Sequence, residues 1–476
     1  MIESTQNTVA VELLQEISTE QAWHYRIFPA GLDGQQLRLY VATGADLLML
    51  QDELEVLLGK AVILEPTDAD MLSRLLKQYY LKENTLSGTE NLSHEPSSDD
   101  FLQKLISEAR KLKSSDIHIE AYEEKCRVRI RIDGMLIERY LLSKMEYPSI
   151  INRIKILANL DIAEKRLPQD GRITFKHGSE QFDIRVSVLP TLHGEKIVLR
   201  LLNNDATNID LYKLGLSESD LRNYLEGVKR PNGIVLISGP TGSGKTTTLY
   251  ATLKLLNKHT RNILTIEDPI EYTLEGINQV QLKEGIGLTF AAALRTFLRQ
   301  DPDVIMVGEI RDPETANMAM RAALTGHLVL STIHTNSAWG TISRLIDMGI
   351  PAFLVANTLN TSVAQRLVRL LCPHCKAQEL MDEQLYPQSF KPYYPVEMHY
   401  TAKGCDQCYF TGYKGRKAVY EVIPLDRELS ALVKSGEMNA DALLKEKGIG
   451  TLSANAFDLF ATGASSIEEI YPLLLN

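Results

Sequence analysis

The sequence predicts an α/β protein of several modules, and the second half of the chain is built on a mainly parallel sheet. Four short apolar runs, each followed by a turn and a helical pattern, lie at 233–237, 263–266, 304–307 and 328–333. Strands that are apolar throughout and alternate with helices are typical of parallel sheets covered on both faces. The length of 476 residues exceeds one ordinary core and predicts two to four modules.

The composition is that of a folded protein. Hydrophobic residues make up 44% and charged residues 24% of the chain, close to the averages of globular proteins. No run reaches the roughly 18 apolar residues of a membrane-spanning helix, and the N-terminus has no signal-peptide pattern, so we expect a cytoplasmic protein. The net charge of −10 offers no general attraction to phosphate polymers and argues against nucleic acid as a partner.

Composition shifts predict the module boundaries. Residues 1–85 read as a small α/β module, and 86–100, rich in Ser, Glu and Asn, read as a flexible linker. Residues 101–205 predict an α+β module. A second short linker covers 206–212, and the parallel sheet occupies 213–476.

Hydrophobic periodicity places the elements inside the first two modules. In the first, a helical pattern covers 9–17, a strand covers 37–42, and a helix starts at Asp46. In the second, an amphipathic helix begins at Phe101 and a turn is expected at Asp133-Gly134. The predicted strands of the second module are 126–132, 172–175, 182–189 and 196–202.

The most specific motif is Gly-Pro-Thr-Gly-Ser-Gly-Lys-Thr, between an apolar strand and the helical pattern 247–256. Glycines permit a tight loop whose N–H groups face phosphate oxygens, Lys245 reaches the β- and γ-phosphates, and Thr246 offers a hydroxyl to Mg²⁺. The alternative, a chance glycine-rich turn, is disfavoured by the flanking strand and helix. The predicted nucleotide-binding residues are Gly239, Pro240, Thr241, Gly242, Ser243, Gly244, Lys245, Thr246 and Thr247.

Two acids follow neighbouring apolar strands. Glu267 is the first candidate to position or deprotonate an attacking water, and its alternative is a solvated acidic loop broken by Pro269. Glu309 follows Gly308 and is expected near Mg²⁺ or its water ligands. Because Arg311 comes two residues after Glu309, the alternative there is a surface salt-bridge turn.

Two histidines, His327 and His334, bracket the apolar strand 328–333. They are candidates to sense a γ-phosphate or to bond the acidic loops, and the alternative is a pair of hydrogen-bonded structural histidines. An arginine from a neighbouring domain or subunit could neutralise transition-state charge, although any single arginine is more simply a surface or salt-bridge residue. The arginines considered are Arg172, Arg185, Arg200, Arg295, Arg299, Arg311 and Arg416.

Four of the five cysteines form two CxxC pairs separated by 29 residues. Two such pairs can supply four thiolates to a tetrahedral, structural Zn²⁺, and His374 is a conceivable substitute ligand. The alternative is four free thiols in a reducing compartment. Cys126 lies in a predicted strand and is expected in the core. The predicted zinc ligands are Cys372, Cys375, Cys405 and Cys408, within a subdomain spanning 371–417 and followed by a helical region, 425–476.

Together these motifs resemble the secretion-ATPase superfamily, the hexameric motors of type II secretion and type IV pili, from about Phe101 to the C-terminus. The tetracysteine segment is similar to that of the GspE and PilB branches, whereas the retraction ATPases lack it. The corresponding boxes are the Walker A motif at 239–246, the Asp box at 265–271, the Walker B motif at 299–312 and the His box at 326–336.

The resemblance implies a RecA-like P-loop NTPase domain joined by a mobile linker to a PAS-like N2 domain (101–205) and preceded by an N1 docking domain (1–85). The γ-phosphate-contacting arginines of the family fall on Arg185 and Arg200, both on N2. Residues 1–85 resemble the second half of the docking module. The expected first half, which binds cyclic-di-GMP in some relatives, is missing, so we expect no such site.

The resemblance further implies a cytoplasmic, Mg²⁺-dependent ATPase. It is expected to act as a homohexamer on the cytoplasmic domain of an inner-membrane platform protein, and to lie peripherally at that membrane's cytoplasmic face. Because the N-terminal part is short, type II secretion is favoured over pilus extension. The alternatives from other classes are a RecA-like nucleic-acid motor and a nucleotide-binding scaffold without turnover.

Overall fold

The computed structural model describes residues 11–14, 16–34, 36–43, 47–80, 98–123, 125–177, 180–202, 209–437 and 439–475. By their internal contacts the residues form two compact units, 1–203 with 404–412, and 204–403 with 413–476. Within the described ranges, no helix combines the length and the apolar character that crossing a bilayer requires.

The N-terminal part of the first unit is a small α/β module. Strand β2 pairs antiparallel with β1 and parallel with β3, and Leu37, Leu39 and Leu76 are among its fully buried side chains. The elements are α1 (Val11–Leu14), α2 (Thr19–Tyr25), β1 (Ile27–Asp33), β2 (Gln36–Ala42), α3 (Leu47–Leu58), β3 (Val62–Thr67) and α4 (Ala69–Tyr79).

The rest of the first unit is an antiparallel six-stranded sheet in the order β6-β5-β4-β9-β8-β7, and its apolar face packs on two helices. The predicted strand 126–132 is β5, and Asp133 and Gly134 both take the positive φ angles of a two-residue hairpin turn. The elements are α5 (Ser98–Lys111), β4 (Asp116–Ala121), β5 (Cys126–Ile132), β6 (Met135–Leu142), α6 (Tyr147–Leu157), β7 (Gln169–His177), β8 (Glu180–Thr191) and β9 (Gly194–Leu201).

Two predicted boundaries differ from the structure. The predicted linker 86–100 lies outside the described residues up to residue 97, but α5 already begins at Ser98. Ser and Asp are frequent both in loops and in the first turn of helices, so composition alone places this boundary too late. Leu211, assigned to the second linker, is buried and begins a 3₁₀ turn packed against Tyr224 in the second unit.

The second unit is built on a seven-stranded sheet in the order β12-β11-β13-β14-β10-β15-β18. All neighbours are parallel except β15 and β18. Apolar side chains on both faces are buried against helices, as the continuous apolar runs predict. The elements up to the last parallel strand are α7 (Glu218–Lys229), β10 (Gly233–Ser238), α8 (Lys245–Leu256), β11 (Ile263–Glu267), β12 (Asn278–Gln281), α9 (Phe290–Phe297), β13 (Val304–Val307), α10 (Pro313–Leu324), β14 (Leu328–Ile333), α11 (Ala338–Asp347), α12 (Ala352–Thr358) and β15 (Leu359–Leu371).

A small two-stranded sheet interrupts the long β15–β18 hairpin, and four helices complete the chain. Aromatic side chains join this insertion to α15, where Tyr386 and Phe390 pack around Phe457. The remaining elements are β16 (Ala377–Leu380), β17 (Met398–Thr401), β18 (Tyr413–Pro424), α13 (Arg427–Ser435), α14 (Asp441–Glu446), α15 (Leu452–Ala461) and α16 (Ile467–Leu474).

Candidate functional site: a phosphate loop at the sheet edge

The predicted phosphate loop joins the buried strand β10 to helix α8. Gly239, Gly242 and Gly244 have φ angles of 149°, 81° and 88°, which side-chain-bearing residues rarely adopt. Gly244 is the N-cap of α8 and provides no capping side chain. The first N–H groups of the twelve-residue helix therefore remain available to an anion, and the helix dipole favours negative charge there.

The loop packs closely on strand β15, which pairs with β10. A Cβ atom on Gly239 would lie 2.5 Å from the carbonyl oxygen of Gln365, and one on Gly244 would lie 2.8 Å from Gln365 Nε2. The Gln365 side chain is fixed by the Thr248 hydroxyl, which donates to its Oε1 at 2.9 Å. Gln365 thus packs against both ends of the loop, and its backbone carbonyl leaves no room for a Cβ at Gly239.

Lys245 folds back onto its own loop. Its Nζ donates to the carbonyl oxygens of Gly239 (2.8 Å) and Pro240 (3.0 Å). Burial lowers the pKa of Lys245, and the nearby Glu309 carboxylate partly opposes that effect. Lys245 is thus held at the loop, and Glu309, which follows β13, lies within electrostatic range of it.

Glu309 lies beyond β13, two places from β10 in the sheet, and its side chain is 13% exposed. Glu309 forms an ion pair with Arg311, and the hydrogen bond within this pair raises the pKa of Arg311. His334 follows β14, the strand between β13 and β10, and its Nε2 lies 3.3 Å from Glu309 Oε2. Because β10, β13 and β14 are parallel, Lys245, Glu309 and His334 all lie at the carboxyl ends of the strands, as the sequence predicts.

Glu267 has different surroundings, because its carboxylate is 3% exposed and enclosed by donors. The Tyr250 hydroxyl, the Thr265 hydroxyl (2.6 Å) and Gln279 Nε2 (3.0 Å) all donate to it. Burial and the negative charge of Glu267 raise the pKa of Tyr250. The alternative of a solvated acidic loop is therefore wrong for Glu267, and Glu309 is the acid that faces Lys245.

His327 precedes β14 and therefore lies at the amino ends of the parallel strands, whereas the phosphate loop lies at their carboxyl ends. The Gly233 N–H, at the start of β10, donates to the His327 carbonyl. The strand from Leu328 to Ile333 spans about 20 Å, so the structure does not bring His327 to the loop of its own chain. Its Nδ1–H donates to the Ala322 carbonyl at 3.0 Å, which is the structural role given as the alternative.

Arg185 and Arg200 lie opposite each other on β8 and β9 of the first unit, on the polar face of the six-stranded sheet. Arg172 lies opposite Arg185 on the next strand. Arg200 Nε donates to Asp116 Oδ1 at 2.9 Å, and Arg131 lies 3.6 Å from the other oxygen of Asp116. The sequence did not indicate Asp116, which organises two of these cations.

The four cysteines Cys372, Cys375, Cys405 and Cys408 come together, with all four sulfur atoms within 4.8 Å of one another. The Sγ atoms of Cys405 and Cys408 are 3.8 Å apart, the separation that Zn–S bonds of about 2.3 Å give in a tetrahedron. The donor set therefore fits Zn²⁺, and it consists of four thiols without His374. Cys126 is buried in the core of the first unit, as predicted.

Three of the surrounding residues carry no motif. Gln365 and Arg366 belong to a strand more than 100 residues beyond the loop, and Tyr250 reads as an ordinary apolar-face residue of α8. Gln365 and Arg366 lie in the middle of β15, and no sequence motif pointed to them.

A mainly parallel sheet with a phosphate loop, a lysine and a facing acid at its carboxyl edge defines a P-loop nucleotide-binding protein. A family model described as type II/IV secretion system protein matches residues 91–472. The chain belongs to this family of secretion system proteins, in agreement with the resemblance of its motifs.

Similar proteins carry names from both type II secretion and pilus assembly. Type II secretion system protein E of Pseudomonas aeruginosa is 52% identical over 335 residues, which cover 70% of this chain and 66% of that protein. The type IV pilus assembly ATPase PilB of Myxococcus xanthus is 41% identical over 492 aligned positions, which cover 97% of this chain and 86% of that protein. The match to the Pseudomonas protein thus spans about two thirds of its length.

Solved structures support the RecA-like fold. The ATPase DotB of Legionella pneumophila superposes with a TM-score of 0.59 at 24% identity, covering 81% of this chain and 97% of DotB. The pilus retraction motor PilT, solved with bound ADP, superposes with a TM-score of 0.53 at 27% identity, covering 78% of this chain and 95% of PilT.

Proposed function

We propose that this chain is a Mg²⁺-dependent ATPase that powers pseudopilus assembly and protein export by a type II secretion system. It acts as a homohexamer on the cytoplasmic domain of an inner-membrane platform protein, is cytoplasmic and peripheral at that membrane, and uses no nucleic acid. The observation that carries the proposal is the meeting of Lys245, Glu309 and His334 at the phosphate loop, in a chain of the secretion family.

Nucleotide binding follows from the geometry of the loop. Lys245 is held by two carbonyl oxygens, and phosphate oxygens would replace them as stronger, charged acceptors. The N–H groups at the start of α8 receive the phosphates, which match the positive end of the helix dipole. Thr246 is the residue that would hold Mg²⁺, and that ion supplies neutralisation of phosphate charge.

Glu309 is proposed to orient or deprotonate the attacking water, and its electrostatic effect on Lys245 supports this role. His334 and Arg311 hold its carboxylate from two sides. Glu267, the first candidate from the sequence for this role, is instead proposed to support the site, because Tyr250 and Gln279 hold its buried carboxylate at the end of β11. In the loose transition state of phosphoryl transfer, such positioning and charge neutralisation make up most of the catalysis.

Arg185 and Arg200 are proposed to contact the γ-phosphate during turnover, and so to link hydrolysis to movement of the N2 domain. Their neighbouring positions on β8 and β9 support this, because two guanidinium groups on one polar face can bind a single phosphate group together. The hydrogen bond from Arg200 Nε to Asp116 holds this guanidinium group on the polar face.

The tetracysteine cluster is proposed to hold a structural Zn²⁺. Four thiolates close the coordination shell, which leaves no position for water or substrate. The bound ion fixes the insertion between β15 and β18, whose two-stranded sheet β16–β17 contains only eight residues.

Pilus extension is the second candidate function. The observation that favours it is the alignment with the Myxococcus pilus assembly ATPase, which extends over 97% of this chain. The type II secretion protein of Pseudomonas aligns with only 70%. Deletion of the gene decides between the two, since loss of a secreted enzyme indicates export and loss of surface pili with intact secretion indicates pilus assembly.

Steady-state phosphate release with Mg-ATP tests the proposed activity. Lys245→Ala is expected to abolish turnover because the loop loses its phosphate-binding cation. Lys254→Ala, on the last turn of the same helix, is the matched control and should retain turnover. Single-stranded and duplex DNA should leave the rate unchanged, and strong stimulation by DNA would favour a nucleic-acid motor instead. Turnover that survives Lys245→Ala would refute the assigned site.

A further inference from the structure

Arg366 lies at the phosphate loop, although no motif includes it. Strand β15 pairs with β10 so that Ala364 faces Ser238, and the next two residues of β15 extend beside the loop. Arg366 Nη2 donates at 2.9 Å to the carbonyl oxygen of Asn336, which follows β14 on the other side of β10. The guanidinium group therefore crosses the carboxyl end of β10, where ligands bind in parallel sheets.

The guanidinium group retains unused hydrogen-bond donors. Of its five N–H bonds, one points to Asn336 O and one, from Nη1, to Gln365 O at 3.1 Å. Within the described part of the chain, no carboxylate oxygen comes within the 4.0 Å of an ion pair with Arg366. The side chain is half-buried, and a half-buried cation without a counter-ion is unfavourable unless an anion binds.

Glu421 is the carboxylate whose charge acts on Arg366, but its oxygens accept hydrogen bonds from other groups. Its two oxygens accept from the N–H groups of Ala338 (2.7 Å) and Leu452 (3.1 Å), at the starts of α11 and α15. Burial lowers the pKa of Arg366, and Glu421 opposes this only through space. Glu421 thus supports the arginine charge without occupying its donors.

A second unsatisfied group converges on the same point of the loop. Ser243 Oγ is buried and has no hydrogen-bond partner among the described residues. A Cβ on Gly239 would lie 2.7 Å from Ser243 Oγ and 3.1 Å from Arg366 Nη1. The first residue of the loop is therefore flanked by a cation and a hydroxyl that both lack an acceptor of the kind a phosphate supplies.

We propose that Arg366 contacts the polyphosphate of bound nucleotide and is the second cation, after Lys245, that this domain contributes to the phosphate site. The proposal rests on the proposed function for the class of ligand, and it adds a residue from a strand outside the known boxes. A planar guanidinium with free donors on one edge is suited to two phosphate oxygens at once.

Calorimetric titration with Mg-ADP and with inorganic pyrophosphate tests the contact in the full-length protein. Arg366→Gln is expected to weaken the binding of both by about tenfold or more, the effect of one charge-assisted hydrogen bond. Arg366→Lys, which retains the charge without the fork, should fall between wild type and Gln. Arg222→Gln, an exposed arginine of α7, is the matched control and should bind as wild type does.

Thermal unfolding without nucleotide separates a purely structural role from binding. If Arg366 only ties the Asn336 segment to β15, Arg366→Gln lowers the unfolding temperature and leaves both dissociation constants unchanged, which overturns the proposal. Weakened binding with unchanged unfolding supports it. If the wild-type protein does not turn over ATP, the proposed function is refuted but the proposal for Arg366 is not. The binding of ADP and pyrophosphate still measures the contribution of Arg366 in that case.

Discussion

The two acids at the ends of neighbouring strands illustrate how environment decides the role of a residue. Glu267 accepts three hydrogen bonds from side chains and is almost fully enclosed. Glu309 stays partly exposed and lies within electrostatic range of Lys245. A carboxylate saturated by donors stabilises a structure, whereas one that faces a cation across an open edge can act on a ligand.

Replacing each acid by its amide should therefore give different results. Glu309→Gln is expected to retain nucleotide binding and stability but lose most phosphate release. Glu267→Gln places an NH₂ group among three donors and should lower the free energy of unfolding by about 1–3 kcal/mol. Denaturant unfolding and phosphate release measure the two effects. Equal turnover in Glu309→Gln and wild type would contradict the role given to Glu309.

Two glycines of the loop form a second matched pair. Gly244 and Gly242 both have positive φ angles, but a Cβ on Gly244 would meet Gln365 at 2.8 Å, whereas one on Gly242 would meet nothing within 4 Å. Gly244→Ala is expected to abolish nucleotide binding and to destabilise the protein by about 1–3 kcal/mol more than Gly242→Ala. Thermal unfolding and ADP titration of both variants measure this difference, and equal effects would show that backbone strain alone matters.

At the scale of elements, the β15–β18 hairpin connects the phosphate loop with the tetracysteine cluster. Its strands pair from Thr361 with Pro424 to Leu371 with Tyr413. Gln365 and Arg366 of β15 lie at the phosphate loop, and Cys372 follows the end of the same strand. The tetracysteine insertion is therefore an extension of a strand that supports the nucleotide site.

Loss of one cysteine should unfold the insertion locally. Cys372→Ser removes one of four thiolates, and we expect loss of Zn²⁺ together with increased hydrogen exchange over 371–417. Cys126→Ala removes a buried thiol of the first unit and is the control that should retain metal. Metal analysis of the purified variants gives the answer. A full complement of Zn²⁺ in Cys372→Ser would exclude the cluster as the site.

For the whole molecule, the sequence predicted what is local in the chain. The phosphate loop, the apolar parallel strands and the CxxC pairs each lie in short segments whose spacing carries the chemistry. Contacts within each unit also connect segments that are distant in the chain. Thr248 bonds Gln365, 117 residues away, and Arg200 bonds Asp116, 84 residues away. No periodicity or motif records such pairs.

The environments of single residues were equally inaccessible to sequence reasoning. His327 and His334 are the same residue type at the two ends of one strand, and only the direction of β14 in the sheet separates them. For Glu267 the sequence predicted a catalytic acid, with a solvated loop acid as the alternative, and neither reading indicated that Tyr250 encloses the carboxylate. Tertiary packing within the second unit decided both cases.

The contact between Gln365 and the phosphate loop couples the position of β15 to the shape of the loop. We expect a change in loop shape on nucleotide exchange to move β15 as a unit, because this strand is hydrogen-bonded to β10 on one side and to β18 on the other. Cys372 directly follows the carboxyl end of β15. A chelator that removes the proposed Zn²⁺ should therefore alter the rate of ADP release, even though none of the four cysteines belongs to the phosphate loop.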